Sequence, residues 1–199
     1  MKRIIISNGF SNFPLRFIAE GLHKKGYKIT LITGIYPSKK IIKFIKFFNL
    51  NKFEPIQRII NRKVDLPDRY IHSFFSAELL FIFARITVKK VSKLNKIYKF
   101  LDYLCAELYQ KSANKIINQL PKNKKYIYLC RAGYGGVSLL NKNNLKIFVQ
   151  HNNVHPKIMS TSIKNRGKIT KNSKFNDKLD GLFLHIKKDL DNTKNIISS

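Results

Sequence analysis

Strand and helix patterns alternate from the start of the chain. Arg3 to Ser7 is a short isoleucine run closed by Asn8 and Gly9, the pattern of a buried parallel strand entering a turn. Phe13 to Lys25 has the helical period, with Leu15, Ile18, Ala19 and Leu22 on one face and Arg16, Glu20, His23 and Lys24 largely on the other; Gly26 ends it. Lys28 to Thr33, KITLIT, is a second buried strand. A strand, a helix and a strand in so short a span make a unit whose crossover should be right-handed.

The middle of the chain is less regular. Pro55 and Pro67 bracket a short expected strand at Gln57 to Ile60, and two long helical stretches follow, His72 to Leu94 and Lys96 to Leu120. Pro121 to Lys125 reads as a turn before a third strand, Tyr126 to Cys130, which ends in Arg131, Ala132 and Gly133. A short helix from Tyr134 to Asn141 then leads to a strand at Lys146 to Gln150. The expected fold class is α/β with a doubly wound, mostly parallel sheet over residues 1–156. Residues 157–178 form a polar, poorly ordered linker in this reading. The end, 179–199, adds a last strand at Asp180 to Ile186 and a weak helix from Lys187 to Ser199.

Composition adds a second theme. The 199 residues include 39 Lys and Arg against 11 Asp and Glu, a formal charge of +28, yet 44% are hydrophobic and 15 are Phe. So much apolar surface offsets the ordering entropy of the chain and argues against disorder. Two cysteines exclude a disulfide scaffold, and an N-terminus with only three isoleucines before Ser7 and Asn8 lacks a signal-peptide core, so a cytoplasmic, reducing location is expected. Glu78 and Arg85 interrupt the apolar run Tyr70 to Val88, which reads as a buried helix rather than a membrane span. Lys, Ile and Asn are overused together, as an AT-rich genome imposes without any partner; the alternative is attraction to a polyanion.

One segment arranges its charge amphipathically. From Lys39 to Phe48, turning about 100° per residue, Lys39, Lys40, Lys43 and Lys46 fall on one side and Ile41, Ile42, Phe44, Ile45 and Phe48 on the other, with Phe47 near the boundary. Two readings stand: a surface helix packed on its own domain, or a patch lying on anionic membrane, where each lysine contributes about 1 kcal/mol.

The chemistry is sparse. Asn8 to Asn12 joins strand to helix, where free amides suit an anion, but its spacing fits neither the dinucleotide fingerprint nor the P-loop. Arg131, Gly133, Gly135 and Gly136 make a second glycine-rich turn, with a guanidinium suited to phosphate or carboxylate. His151 and His155 lie four apart in a segment that reads as loop, so no metal site is expected; His155 is instead a polar residue at a strand end, ligand-contacting or structural. Cys105 and Cys130 read as buried apolar groups. Glu20, Asp102 and Glu107 sit on expected helices, and no two carboxylates share a loop cluster as a carboxylate-pair hydrolase needs.

Taken together, IIISNGFSNFPLRFIAEGLHKKGYKITLITG and LCRAGYGGVSLLNKNNLKIFVQHNNVHPK resemble two stretches of the N-terminal, acceptor-side domain of family 4 type glycosyltransferases of the GT-B fold. The first is similar to that family's opening, with its glycine loop and Lys-Lys-Gly-Tyr turn; the second, to its Arg-x-Gly turn and closing His-Pro. The resemblance implies a Rossmann-like domain that holds the acceptor, often on a membrane. Gly9 and Phe10 would face the donor diphosphate, and Arg131, Gly133 and His155 would line the same cleft. Transfer would rest on positioning and electrostatic stabilisation of the leaving diphosphate, with no cofactor and a nucleotide sugar as donor substrate. The family also has a second Rossmann-like domain carrying paired glutamates with seven residues between them and a basic residue for the diphosphate, which these 199 residues lack. The expectation is a truncated product or one half of a pair with a donor-binding chain, not active alone. The alternative from another class is a non-enzymatic basic module for anionic membrane. Nucleic acid fits less well, because the basic residues are scattered, Trp is absent and no recognition motif appears.

Overall fold

The computed structural model describes residues 3–10, 14–49, 52, 54–85, 94–140, 144–151 and 182–198. Six strands occur among them: β1 (Arg3–Ser7), β2 (Lys28–Thr33), β3 (Ile71–Ser73), β4 (Tyr126–Arg131), β5 (Leu145–His151) and β6 (Ile196–Ser198). All pair in parallel, in the order β3-β2-β1-β4-β5-β6. This is the strand order of a Rossmann-like sheet, whose direction of winding reverses between β1 and β4. The helices are α1 (Leu15–Lys24), α2 (Lys39–Phe47), α3 (Glu54–Ile60), α4 (Phe75–Phe83), α5 (Asn95–Asn118) and α6 (Leu182–Asp191).

Strand side chains alternate between two cores. Ile4, Ile6, Ile29 and Leu31 point to one layer with Leu15 and Ala19 of α1 and with Val64 and Leu66. Ile5 and Ile32 point to the other, where α4, α5 and α6 supply Ala77, Cys105, Ala106, Tyr109, Ile186 and Leu190. Burial on both faces explains why β1 and β2 read as continuous apolar runs. Both cysteines are free and buried, and burial raises the Cys105 thiol to about 12. Among the described residues no helix is long and apolar enough to cross a membrane.

Several expectations are corrected. Gln57 to Ile60 is helical: Pro55 stands in the first turn of α3, where its missing N–H costs nothing, so it opens a helix instead of bracketing a strand. The stretch expected to be helical from His72 begins as β3, because Ile71, His72 and Ser73 find partners in Leu31, Ile32 and Thr33 of β2. Residues 86–93 of that stretch lie outside the described residues. Of the strand expected at Asp180 to Ile186, the described residues 182–186 are helical: Leu182–Asp191 is α6, with His185, Ile186, Asp189 and Leu190 buried at helical spacing. The helix expected from Lys187 to Ser199 holds only to Asp191, the end of α6; Ile196–Ser198 is β6, since β5 offers it an open edge through Val149, Gln150 and His151. Between β4 and β5 the expected helix shrinks to a 3-10 turn at Val137–Leu139.

Face assignment shifts in α1 as well. Arg16, expected outward, is 5% exposed, while Ile18 is exposed. The guanidinium reaches across to donate from Nη1 to the Asn61 carbonyl at 3.1 Å, and burial lowers its pKa. Long side chains can lay their stems along apolar surface and pair only at the tip. The expected linker, 157–178, is outside the described residues.

Candidate functional site

Parallel open sheets bind ligands beyond the C-terminal ends of their strands, at the point where winding reverses. Here that point lies between β1 and β4, and the two glycine turns nominated by the sequence both stand there. Gly9 has φ 74°, a left-handed conformation that glycine adopts without strain. A Cβ on it would come within 2.8 Å of the Tyr134 ring, so the loop after β4 closes directly over the loop after β1. Phe10 is 1% exposed and packs edge-on against Tyr109 and Tyr134 at 5.3 and 5.1 Å, with Phe81 at 5.4 Å. Phe10 is thus a core side chain at the reversal point.

The polar groups beneath this aromatic lid are tied together. Tyr109 comes from α5, and its hydroxyl accepts the Gly9 N–H at 3.1 Å and donates to the Ile32 carbonyl at 3.0 Å. Ser7 Oγ lies 3.1 Å from the same hydroxyl and reaches the Tyr134 carbonyl at 3.2 Å. Burial pushes the Tyr109 and Tyr134 phenols well above their ordinary range, so both remain neutral. Asn8 is buried beside them, and its Oδ1 has no hydrogen-bond partner among the described residues.

The second glycine turn is held from the far end of the chain. Asp189 of α6 accepts the Gly133 and Gly135 N–H groups on Oδ2, each at 2.9 Å, and the Val137 N–H on Oδ1 at 2.8 Å. Successive amides converging on one anion form a nest, and here its occupant is the protein's own carboxylate. Burial raises the Asp189 pKa to about 6, against the pull of those backbone amides. The turn's carbonyls are also taken: Gln110 donates to Gly133 at 2.9 Å, Tyr128 to Gly135 at 2.9 Å and Asn114 to Gly136 at 3.4 Å. Glycine-rich turns attract the reading of a ligand cradle, and this one is filled from inside.

Arg131 is the last residue of β4, half-buried, with its pKa lowered by burial and partly restored by Tyr134. The fold therefore brings Gly9, Phe10, Arg131 and Gly133 to one edge. His155 lies outside the described residues; His151, the last residue of β5, is buried. No known protein family, curated protein or solved structure matches the chain. Among the described residues no three His, Cys, Asp or Glu side chains gather as a metal ion would need.

Sequence reasoning missed two buried acids. Asp189 fell in a segment expected to be a weak terminal helix, and nothing local marks it as the partner of a turn some fifty residues earlier. Glu78 on α4 is 0% exposed; its Oε2 accepts the Ile35 N–H and its Oε1 the Arg62 guanidinium, both at 2.6 Å. This ties α4 across the C-terminal ends of β2 and β3. A signal was present in the acid that interrupts an otherwise apolar helix, since a carboxylate there must be paired.

The basic helix forms a separate surface. Ser38 caps α2 by accepting the Ile41 N–H, and Lys39, Lys43 and Lys46 are exposed; the Lys40 side chain lies outside the described residues. Ile45 is buried and Ile41 and Ile42 partly so, but Phe44 and Phe48, expected on the packing face, are exposed together with Phe47 at 83%. Their rings cluster, Phe44 to Phe48 at 4.6 Å and Phe47 to Phe48 at 5.0 Å. An open basin of about 1100 Å³ lies nearby, lined by Glu20, His23, Lys24, Lys39 and residues 63–69. It holds none of the loop residues nominated above, and its charges are mixed.

Proposed function

We propose that this chain is the acceptor-side, Rossmann-like half of a GT-B glycosyltransferase, acting in transfer of a sugar from a nucleotide-sugar donor to a cell-envelope or polysaccharide acceptor. The observation that supports the reading is the meeting of both glycine turns, with Arg131, at the β1–β4 reversal of a Rossmann-like sheet. In this reading Arg131 faces the donor phosphates and the buried Asn8 amide beside Gly9 serves positioning. The backbone amides at Gly133 and Gly135 play no part, because Asp189 holds them. The donor-binding half, and its paired glutamates, belong to a second Rossmann-like domain.

The coding sequence following Ser199, translated in all three forward frames, is the first place to seek that domain. Combining it with this chain and measuring nucleoside diphosphate release from a nucleotide sugar then tests the reading. Turnover that needs both halves, and falls at least tenfold with Arg131→Ala, supports it; no turnover from the reconstituted pair overturns it.

A second reading is favoured by the exposed rings of Phe44, Phe47 and Phe48 beside Lys43 and Lys46: a basic module peripheral on the inner face of the membrane, compatible with the first reading. Aromatic side chains flanked by lysines suit the headgroup region of an anionic bilayer. Vesicle binding that is lost in salt, and lost on changing Lys40, Lys43 and Lys46 to Glu, is expected; binding unchanged by that triple substitution removes α2 from the surface.

A further inference from the structure

We propose that Asp189 is a positioning residue for the candidate site: its ionised carboxylate clamps the Gly133–Val137 turn and so fixes Arg131 and the Tyr134 lid for an anionic ligand. This role rests on the reading of Arg131 as the group that faces the donor phosphates, and names what regulates it.

The turn is built so that it needs an outside hold. Gly133 and Gly136 have φ 88° and 59°, and a Cβ on Gly135 would lie 2.5 Å from Cys130 Sγ, so glycine is required at all three positions. Glycine backbone has the most conformational freedom to lose. Asp189 pins it through the N–H groups of Gly133, Gly135 and Val137, from a helix that is itself anchored: Ile186 and Leu190 lie in the core and α6 packs on α5. Gly133 stands inside a tight turn closed by the Tyr134 N–H, which donates to the Arg131 carbonyl at 3.0 Å. Asp189 therefore holds a piece of chain with Arg131 at one end. At the other is the ring that covers Gly9 and packs on Phe10, and Ser7 ties the Tyr134 carbonyl back to β1.

The strength of this hold depends on charge. An ionised carboxylate makes hydrogen bonds roughly twice as strong as those of a neutral group, so protonation loosens all three contacts together. Burial places that protonation at about pH 6. The groups around Asp189 leave it as the group that changes there. Tyr128 and Cys130 face it from β4, both kept neutral by burial, and α5 turns the neutral amides of Gln110 and Asn114 to the same loop. Glu107 of α5 pairs with Lys111. On α6, Lys188 lies over the Tyr103 ring, and His185, with Nε2 3.2 Å from the Tyr103 carbonyl, has its pKa lowered by burial. Burial costs the charged form stability, yet the bonds that form makes to the turn are the stronger ones; the turn therefore tightens above the midpoint.

Amide spectra of the 15N-labelled native chain, recorded from about pH 5 to about pH 7.5, test this without any substitution. Sulfate serves as the probe, because its charge is constant over that range. The Gly133, Gly135 and Val137 amide resonances should move together with a midpoint near 6. The Arg131 Nε–H and the Gly9 N–H should respond to sulfate, with an affinity that falls at least about threefold from the upper to the lower pH. Asp189→Asn, with circular dichroism to verify folding, should abolish the titration and keep the affinity at the native chain's low-pH value throughout. Arg131→Ala should remove the Gly9 response, which separates this site from sulfate drawn elsewhere by a formal charge of +28. If sulfate binds at Arg131 equally at both ends of the range and in Asp189→Asn, the positioning role is overturned while the donor-phosphate reading stands. If Arg131 ignores sulfate at every pH, that reading loses Arg131 and this role falls with it. A titration of the three amides that survives in Asp189→Asn would belong to His185 and overturn the clamp.

Discussion

Two aromatic clusters in this chain are built from similar side chains and end in opposite environments. Phe10, Phe81, Tyr109 and Tyr134 meet at the β1–β4 reversal, where each ring finds another ring and the Tyr109 hydroxyl is bonded to Gly9 and Ile32. Phe44, Phe47 and Phe48 also touch one another, but on the outer side of α2, with lysines as neighbours. The first cluster receives side chains from α4, α5 and the β4 loop; the second receives them from one helix alone. A single helix presents its rings without covering them. Aromatic content therefore measures the potential for a core, and convergence of several elements makes one.

The largest expected effect tests the buried cluster directly. Phe10→Ala should destabilise the domain by about 3–5 kcal/mol, through lost burial and the cavity left among three rings. Urea unfolding measures it, and a loss below about 1 kcal/mol would mean that the lid closes over the gap. A comparable effect is expected from pH at Asp189. Its folded pKa, raised to about 6 from 3.8, means that the folded state holds the proton more tightly than the unfolded chain. The contribution is therefore fully present below about pH 4 and lost as pH rises through 6, by about 3 kcal/mol in total. Measured as the difference between the native chain and Asp189→Asn across pH 4 to 7, this slope should appear with that sign; a flat difference would show that the backbone amides fully offset the burial of the carboxyl.

Smaller changes sharpen the contrast. Tyr109→Phe keeps the ring and deletes the hydroxyl that serves Gly9, Ile32 and Ser7, and should cost about 1–3 kcal/mol, seen again in urea unfolding. At the other cluster, Phe47→Ser should leave the unfolding midpoint within about 0.5 kcal/mol of the native value, because the ring is already in water. A clear loss there would show that α2 is held on the domain through its aromatic side.

The parts of the site legible in the sequence were its loops, not its occupants. Gly9 and the turn from Gly133 to Gly136 announce themselves because glycine next to a strand end marks a tight turn. That the two turns touch depends on β1 and β4 being neighbours, a pairing across more than a hundred residues. The carboxylate filling the second turn arrives from α6, whose largely apolar opening LFLHI fits either a strand or a helix when read alone. Arg16 was misplaced for a related reason: periodicity assigns a charged residue outward, and only the nearby Asn61 carbonyl gives it an inward partner.

By itself the sequence determined β1, β2, β4 and β5, the helical nature of α1, α2 and α5, and the basic, aromatic character of α2. These follow from local patterns: continuous apolar runs for strands buried on both faces, and a repeating apolar face for helices. Only the tertiary structure decided that Ile71 to Ser73 and Ile196 to Ser198 join the sheet, that Asp189 occupies the glycine turn, and that Phe10 is covered while Phe47 is not. Three-residue strands, buried acids and the sorting of one aromatic from another all depend on partners distant in sequence, and a side chain's free energy is set by what finally surrounds it.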